Sequence, residues 1–224
     1  MRELSIFVDE SGNGRRDSKY YLLTLVFHDQ DVPITGLIDA YEAKLRASGM
    51  ADIPLHLNPL IRANDEYTSL GTEERRRMLG AFRGFANRCP FAYLTFAYKK
   101  SHFADDEALF SKMRQDLVNA LFERLGVLQG FDAVKIYYDN GRGPITQVLH
   151  SAFEYALGRQ AVVYRDCAPD GYRLQQVADY ACGIELAALK YESHETGRTE
   201  EIFYGTWREF NKSFLKKLRS KRLM

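Results

Sequence analysis

The stretch Ile6-Phe7-Val8-Asp9-Glu10-Ser11-Gly12-Asn13 sets the tightest limit on how this chain folds. A run of β-formers ends in two adjacent carboxylates, and Ser-Gly-Asn-Gly then turns the chain, so the acids sit at the mouth of a strand. Two ionised carboxylates beside an apolar strand repel each other and lose hydration, at a cost of several kcal/mol unless cations or hydrogen-bond donors compensate. A divalent metal supplies both charge and ligand vacancies, which makes Asp9 and Glu10 candidate ligands. The alternative is an acidic turn in which one of them caps the Ser11-Gly12 backbone.

Downstream, Tyr20 to Phe27 reads as a second strand joined to the first as a hairpin, with Arg15, Arg16, Asp17 and Lys19 in an exposed loop. Ile34, Leu37, Ile38, Tyr41 and Leu45 recur at helical spacing up to Ser48-Gly49. Ile53 to Leu60 contains two prolines and no sustained period, and is expected to be extended. His56 is its polar residue among apolar neighbours, either hydrogen-bonded within the core or placed at an active site. A helix is expected from Thr72 through Asn87, with Thr72 as its cap. Arg75, Arg76 and Arg77 fan out by ~100° each within it, so they form a solvated face and not a stripe for nucleic acid.

Phe91 to Tyr98 is a third strand, and Asp105 to Leu125 a long helix whose Leu109, Met113, Leu117 and Leu121 belong to the core. The fourth strand, Ala133 to Tyr138, ends as the first did, in a carboxylate followed by turn residues: Asp139-Asn140-Gly141-Arg142-Gly143-Pro144. In an α/β sheet, sites form where strand ends meet the following loops, so Asp9 and Asp139 can converge although 130 residues separate them. After a helix, Ile145 to Leu157, comes a short fifth strand, Ala161 to Tyr164. Leu174 to Leu189 is a helix of small and apolar residues, expected to lie against the sheet, and Asp179 is a third acid inside it. The end, Trp207 to Met224, reads as a basic amphipathic helix, packed or binding nucleic acid.

With 224 residues, 46% of them hydrophobic, one domain over 1–224 is expected, with a helical insertion at about 33–88 and the basic helix at about 205–224. A formal charge of +1 excludes a global basic field, so contact with nucleic acid must come from local patches. Cys89, Cys167 and Cys182 lack metal spacing and read as reduced thiols of a cytoplasmic protein. No window approaches the ~18 apolar residues of a membrane span, so no membrane partner is expected.

Three antiparallel strands followed by strand-helix-strand-helix, with acids ending strands one and four and a third in the last buried helix, resemble the ribonuclease H-like nucleases. The resemblance is closer to the domain-of-unknown-function 3800 family, through Phe7-Val8-Asp9-Glu10-Ser11-Gly12, the segment with His56, Tyr137-Tyr138-Asp139, and Leu174-Gln175-Gln176-Val177-Ala178-Asp179. It implies an α/β fold: a mixed five-stranded sheet, three strands antiparallel and then parallel ones, flanked by helices. The helical insertion between strands two and three departs from the small ribonuclease H.

The implied chemistry is two-metal phosphodiester hydrolysis of nucleic acid. Asp9 and Asp139 hold or bridge Mg²⁺ or Mn²⁺, Glu10 or Asp179 completes the shells, and His56 orients water or meets phosphate. Glu10 needs a bulge to join Asp9, because neighbours on a strand point to opposite faces. Two further readings share this fold: a binding module of a host-phage conflict or mobile-element system that cuts no bond, and a nucleotide phosphatase.

Overall fold

The chain runs through β1 (Glu3–Ser11), β2 (Tyr20–Asp29), α1 (Thr35–Ala47), α2 (Leu57–Arg62), α3 (Thr72–Arg88), β3 (Ala92–Lys99), α4 (Asp106–Glu123) and α5 (Leu125–Leu128). It continues through β4 (Ala133–Tyr138), α6 (Gly143–Leu157), β5 (Val162–Asp166), α7 (Arg173–Glu192), α8 (Arg198–Tyr204), α9 (Trp207–Phe210) and α10 (Lys216–Arg219). Residues 2–12, 18–138, 143–158, 162–166 and 172–223 are described in this computed structural model.

The five strands lie in the order β3-β2-β1-β4-β5. β1 pairs antiparallel with β2, and β2 with β3, while β4 runs parallel to β1 and β5 parallel to β4. The strand sense, three antiparallel and then parallel, is the one expected from the sequence. Alternation along β1 divides its side chains between two cores: Leu4, Ile6 and Val8 join the core covered by α4, α5 and α6, and Phe7 joins the one covered by α1, α3 and α7. α7 comes close to the sheet because the residues facing it are small, with Ala178, Ala181 and Ala188 all fully buried. Leu109, Met113, Leu117 and Leu121 fill the opposite core from α4, whose start is capped by Asp105 accepting from the Ala108 N–H at 2.8 Å.

Three local expectations are corrected first. The segment with two prolines is extended only to His56 and then turns into α2; Pro59 sits in the first helical turn, where no N–H is needed. The N-cap of α3 is Gly71 and not Thr72, which is the first helical residue and makes no cap bond. Arg75 is not part of a solvated face. It is 7% exposed, and its guanidinium donates to the carbonyls of Leu60 at 2.7 Å, Ile61 at 2.8 Å and Leu70 at 3.3 Å, binding α3 to the C-terminal end of α2.

The basic C-terminal stretch is helical only to Arg219, with a wider π turn at Asn211–Leu215 between α9 and α10; Tyr93 and Arg222 then form a parallel bridge. Phe210, Phe214, Leu215 and Leu218 are buried, so this helix is packed against the body and presents its lysines outward. Its anchor is Glu185 of α7, 4% exposed, which accepts from the Tyr93 hydroxyl at 2.6 Å and from Arg219 Nη2 at 2.8 Å.

Candidate active site

Asp9 lies one residue beyond Val8, the last β1 residue paired with β4, and is matched across β2 with Thr24. Pairing of β1 with β2 continues without a bulge through Glu10 and Ser11, so Asp9 and Glu10 take opposite faces. Asp9 faces α7. Glu10 accepts a hydrogen bond from the Tyr21 hydroxyl, and Tyr21 belongs to the core on the far face. The turn that follows requires Gly12, whose φ is +85° and where a Cβ would come 1.9 Å from the Tyr20 carbonyl oxygen.

Asp179 and Cys182, one turn apart on α7, meet Asp9. Burial, then the negative charge of Asp179 and more weakly that of Glu10, hold the Asp9 carboxyl well above the usual carboxylate range. The Cys182 thiol and the Glu10 backbone N–H donate to it and oppose that shift. Among the described residues no lysine or arginine offsets the charge on Asp9. Behind Cys182, whose thiol is itself raised by burial and by Asp9, a buried polar chain continues through Thr24 to Thr95, the two hydroxyls 2.8 Å apart. Gln175, one turn before Asp179, donates to the Val8 carbonyl at 2.8 Å and so ties α7 to the last β1 residue paired with β4.

Asp179 also reaches the segment before α2. Its Oδ1 accepts from the Leu57 N–H at 2.9 Å, and its Oδ2 lies 3.4 Å from His56 Nδ1. The approach is possible because Gly183, one turn on, faces Leu57; a Cβ there would come 2.5 Å from Leu57 Cδ2. His56 itself is held by its backbone N–H on the Tyr67 hydroxyl at 3.1 Å, and Tyr67 donates to the Pro54 carbonyl at 2.7 Å.

The hydrogen bond that His56 donates to Asp179 raises the pKa of His56 against the opposing effect of burial. A raised histidine stabilises the fold below its unfolded pKa of ~6.5, and that contribution disappears as pH rises through the folded value. The melting temperature of the wild type in EDTA should therefore exceed that of His56→Gln at acidic pH, and the gap should close above neutrality. A gap constant from pH ~5 to ~8 would show that the pair does not titrate with the fold.

Of the sequence-selected residues, Asp9, Asp179 and His56 come together. Glu10 adjoins them on the opposite face of β1, and Asp139 lies outside the described residues. β4 ends at Tyr138, which pairs with Val8. Among the described residues no three His, Cys, Asp or Glu side chains gather closely enough to hold a metal ion. Cys182, Gln175 and Thr24 join the site without a sequence motif to mark them; the signal for Cys182 is its three-residue offset from Asp179.

The fold is ribonuclease H-like. Strand order, strand sense and the placement of helices on both faces carry that assignment. The sequence matches no family model and no curated protein. Among solved structures, the chain is similar to the ribonuclease H2 from Pyrococcus horikoshii OT3, at 14% identity and a TM-score of 0.44, with 98% of each chain covered. It is also similar to a chain in the structure of the PCNA:RNase HII complex from Archaeoglobus fulgidus, at 16% identity and a TM-score of 0.39, covering 99% of this chain and 91% of that one. Among the described residues no helix is long and apolar enough to cross a membrane.

Proposed function

We propose that this protein is a metal-dependent nuclease that hydrolyses phosphodiester bonds, with Asp9 and Asp179 holding Mg²⁺ or Mn²⁺ and Asp139, the residue after β4, completing the set. The observation that carries the reading is the convergence of Asp9 and Asp179, 170 residues apart in sequence, with the Asp9 carboxyl held well above its usual range and no lysine or arginine among the described residues offsetting its charge. The donor set is hard oxygen, and Mg²⁺ is commonly held by one or two carboxylates, waters and the substrate's own phosphate oxygens. The landmark segments named above also support membership of the domain-of-unknown-function 3800 family.

A bound divalent cation lowers the pKa of the attacking water and neutralises the leaving oxygen. The chain's own residues prepare for that chemistry. Cys182 and the Glu10 N–H orient the Asp9 carboxylate, while Leu57 N–H fixes one oxygen of Asp179. His56, half-exposed and beside the other oxygen, is placed to hold a proton on Nδ1 toward Asp179 while its remaining nitrogen orients water or meets phosphate. Glu10, whose side chain is bonded to Tyr21 and whose charge opposes ionisation of Asp9, has a lesser claim as a ligand.

A catalytically silent binding module is the second reading, and it draws on the donors that Asp179 already has in Leu57 and His56. Incubation with single- and double-stranded DNA and RNA, in Mn²⁺ and in EDTA, separates the two. Cleavage in Mn²⁺ alone supports the nuclease, while affinity without products under every condition supports the module. Products from mononucleotides alone would instead favour a phosphatase.

A further inference from the structure

α7 continues past the acids with one face turned the same way. Asp179, Gly183, Leu186 and Lys190 follow at intervals of four, three and four residues, within about 60° of one another around the helix. With ~1.5 Å of rise per residue, Leu186 and Lys190 stand about 10 and 16 Å along the axis from Asp179. Leu186 and Lys190 of this face floor a cleft of about 430 Å³, walled on one side by Asn58 and Arg62 of α2 and on the other by Glu10, Ser11, Gly12, Lys19 and Tyr20 of the β1–β2 hairpin. The cleft therefore lies further along α7 than Asp179, with Glu10, the residue after Asp9, at its edge.

Its charges are of two kinds. Lys19 is bound to Glu195 at 2.8 Å and Lys190 to Glu200 at 2.6 Å, so both are already neutralised. Arg62 is different: it is exposed, and its Nε donates to the neutral side chain of Asn58 at 3.0 Å. That bond fixes the guanidinium plane through one edge, and among the described residues no carboxylate lies within ion-pairing distance of its terminal nitrogens. A guanidinium pre-oriented by a neutral partner, at the wall of a polar cleft, suits two-pronged recognition of a phosphate.

We propose that this cleft carries the nucleic-acid strand away from the acid pair, and that Arg62 binds a backbone phosphate neighbouring the scissile one. The inference deepens the nuclease reading and rests on it for the identity of the strand. A backbone contact of this kind positions the chain and reads no sequence, so it strengthens binding to all strands alike.

The test is binding of a fluorescent oligonucleotide to the full chain in Ca²⁺ over a range of salt concentrations, with cleavage in Mn²⁺ measured in parallel. Arg62→Ala should weaken binding about tenfold, lower the slope of log K against log salt by about 1, and raise KM far more than it lowers kcat. Arg62→Lys should recover part of the affinity, and Lys44→Ala on exposed α1 should bind as the wild type does. Equal affinity and slope for Arg62→Ala, or no binding by the wild type, overturns the cleft assignment. Binding that depends on Arg62 without cleavage by the wild type keeps the cleft and overturns only the hydrolysis reading. Because Arg62 is exposed, an unchanged melting temperature shows that the variant is folded.

Discussion

Asp9→Asn and Asp179→Asn should each lower Mn²⁺-dependent cleavage of nucleic acid by at least about 10²-fold, a loss of about 2.7 kcal/mol in transition-state stabilisation. The amide keeps the size of the side chain and removes the negative charge that a hard cation requires. Stability should move the opposite way for Asp9. A carboxyl whose folded pKa is raised destabilises the fold progressively as pH climbs from the ordinary carboxylate range to the raised value. At neutral pH in EDTA the Asp9→Asn protein is therefore expected to melt above the wild type.

Metal should reverse that order. An ion at a hundred times its dissociation constant stabilises by ~2.7 kcal/mol. For a chain of this size that corresponds to a rise of about 5–10 °C in Tm. The rise should appear in the wild type and be absent from both variants. A wild type whose Tm is the same in Mn²⁺ and in EDTA, together with full cleavage by Asp179→Asn, would end the proposal that these acids hold the ion.

Glu185→Ala is expected to be the most damaging substitution away from the candidate site. Its carboxylate is 4% exposed and is shared by Tyr93 on β3 and Arg219 on α10, so a single side chain joins the sheet, the buried helix and the C-terminal helix. Truncation leaves the Tyr93 hydroxyl, in a fully buried ring, without its acceptor, which costs ~1–3 kcal/mol. Breaking a fully buried ion pair costs ~3–5 kcal/mol, but Arg219 is 36% exposed and its charge can turn to solvent, so the pair contributes less than that. A total of about 3 kcal/mol follows, or roughly 6–12 °C in Tm. Glu185→Gln, which keeps an acceptor for Tyr93, should recover more than half of it. Denaturant melts of the three proteins decide the matter: if alanine and glutamine lose the same amount, the charge matters and the Tyr93 bond does not.

The strands were legible because their pattern is local. A run of Val, Ile and Tyr bounded by turn residues has few uses other than a strand, and residues 133–138 form β4. The core positions of α4 followed for the same reason, as leucine and methionine at four-residue spacing define one face without reference to the rest of the chain. Asp9 and Asp179 were selectable because an acid at a strand mouth or in an apolar helix contradicts its surroundings.

Where the reading failed, the deciding partner came from elsewhere. Arg75 resembled a surface cation beside Arg76 and Arg77, yet it is buried because the carbonyls of Leu60, Ile61 and Leu70 converge on it from another turn. Nothing within Leu57–Arg62 announces a helix, and the Asp179 carboxylate, accepting from the first N–H of α2, helps to hold it. Sequence by itself determined which residues are apolar at which period, and hence the strands, the helices and the two faces of the sheet. Only tertiary structure decided which buried polar groups would meet, because hydrogen bonds and charges depend on distance in space, and the chain brings Asp9 to Asp179 and Glu185 to Tyr93 only once the sheet is covered.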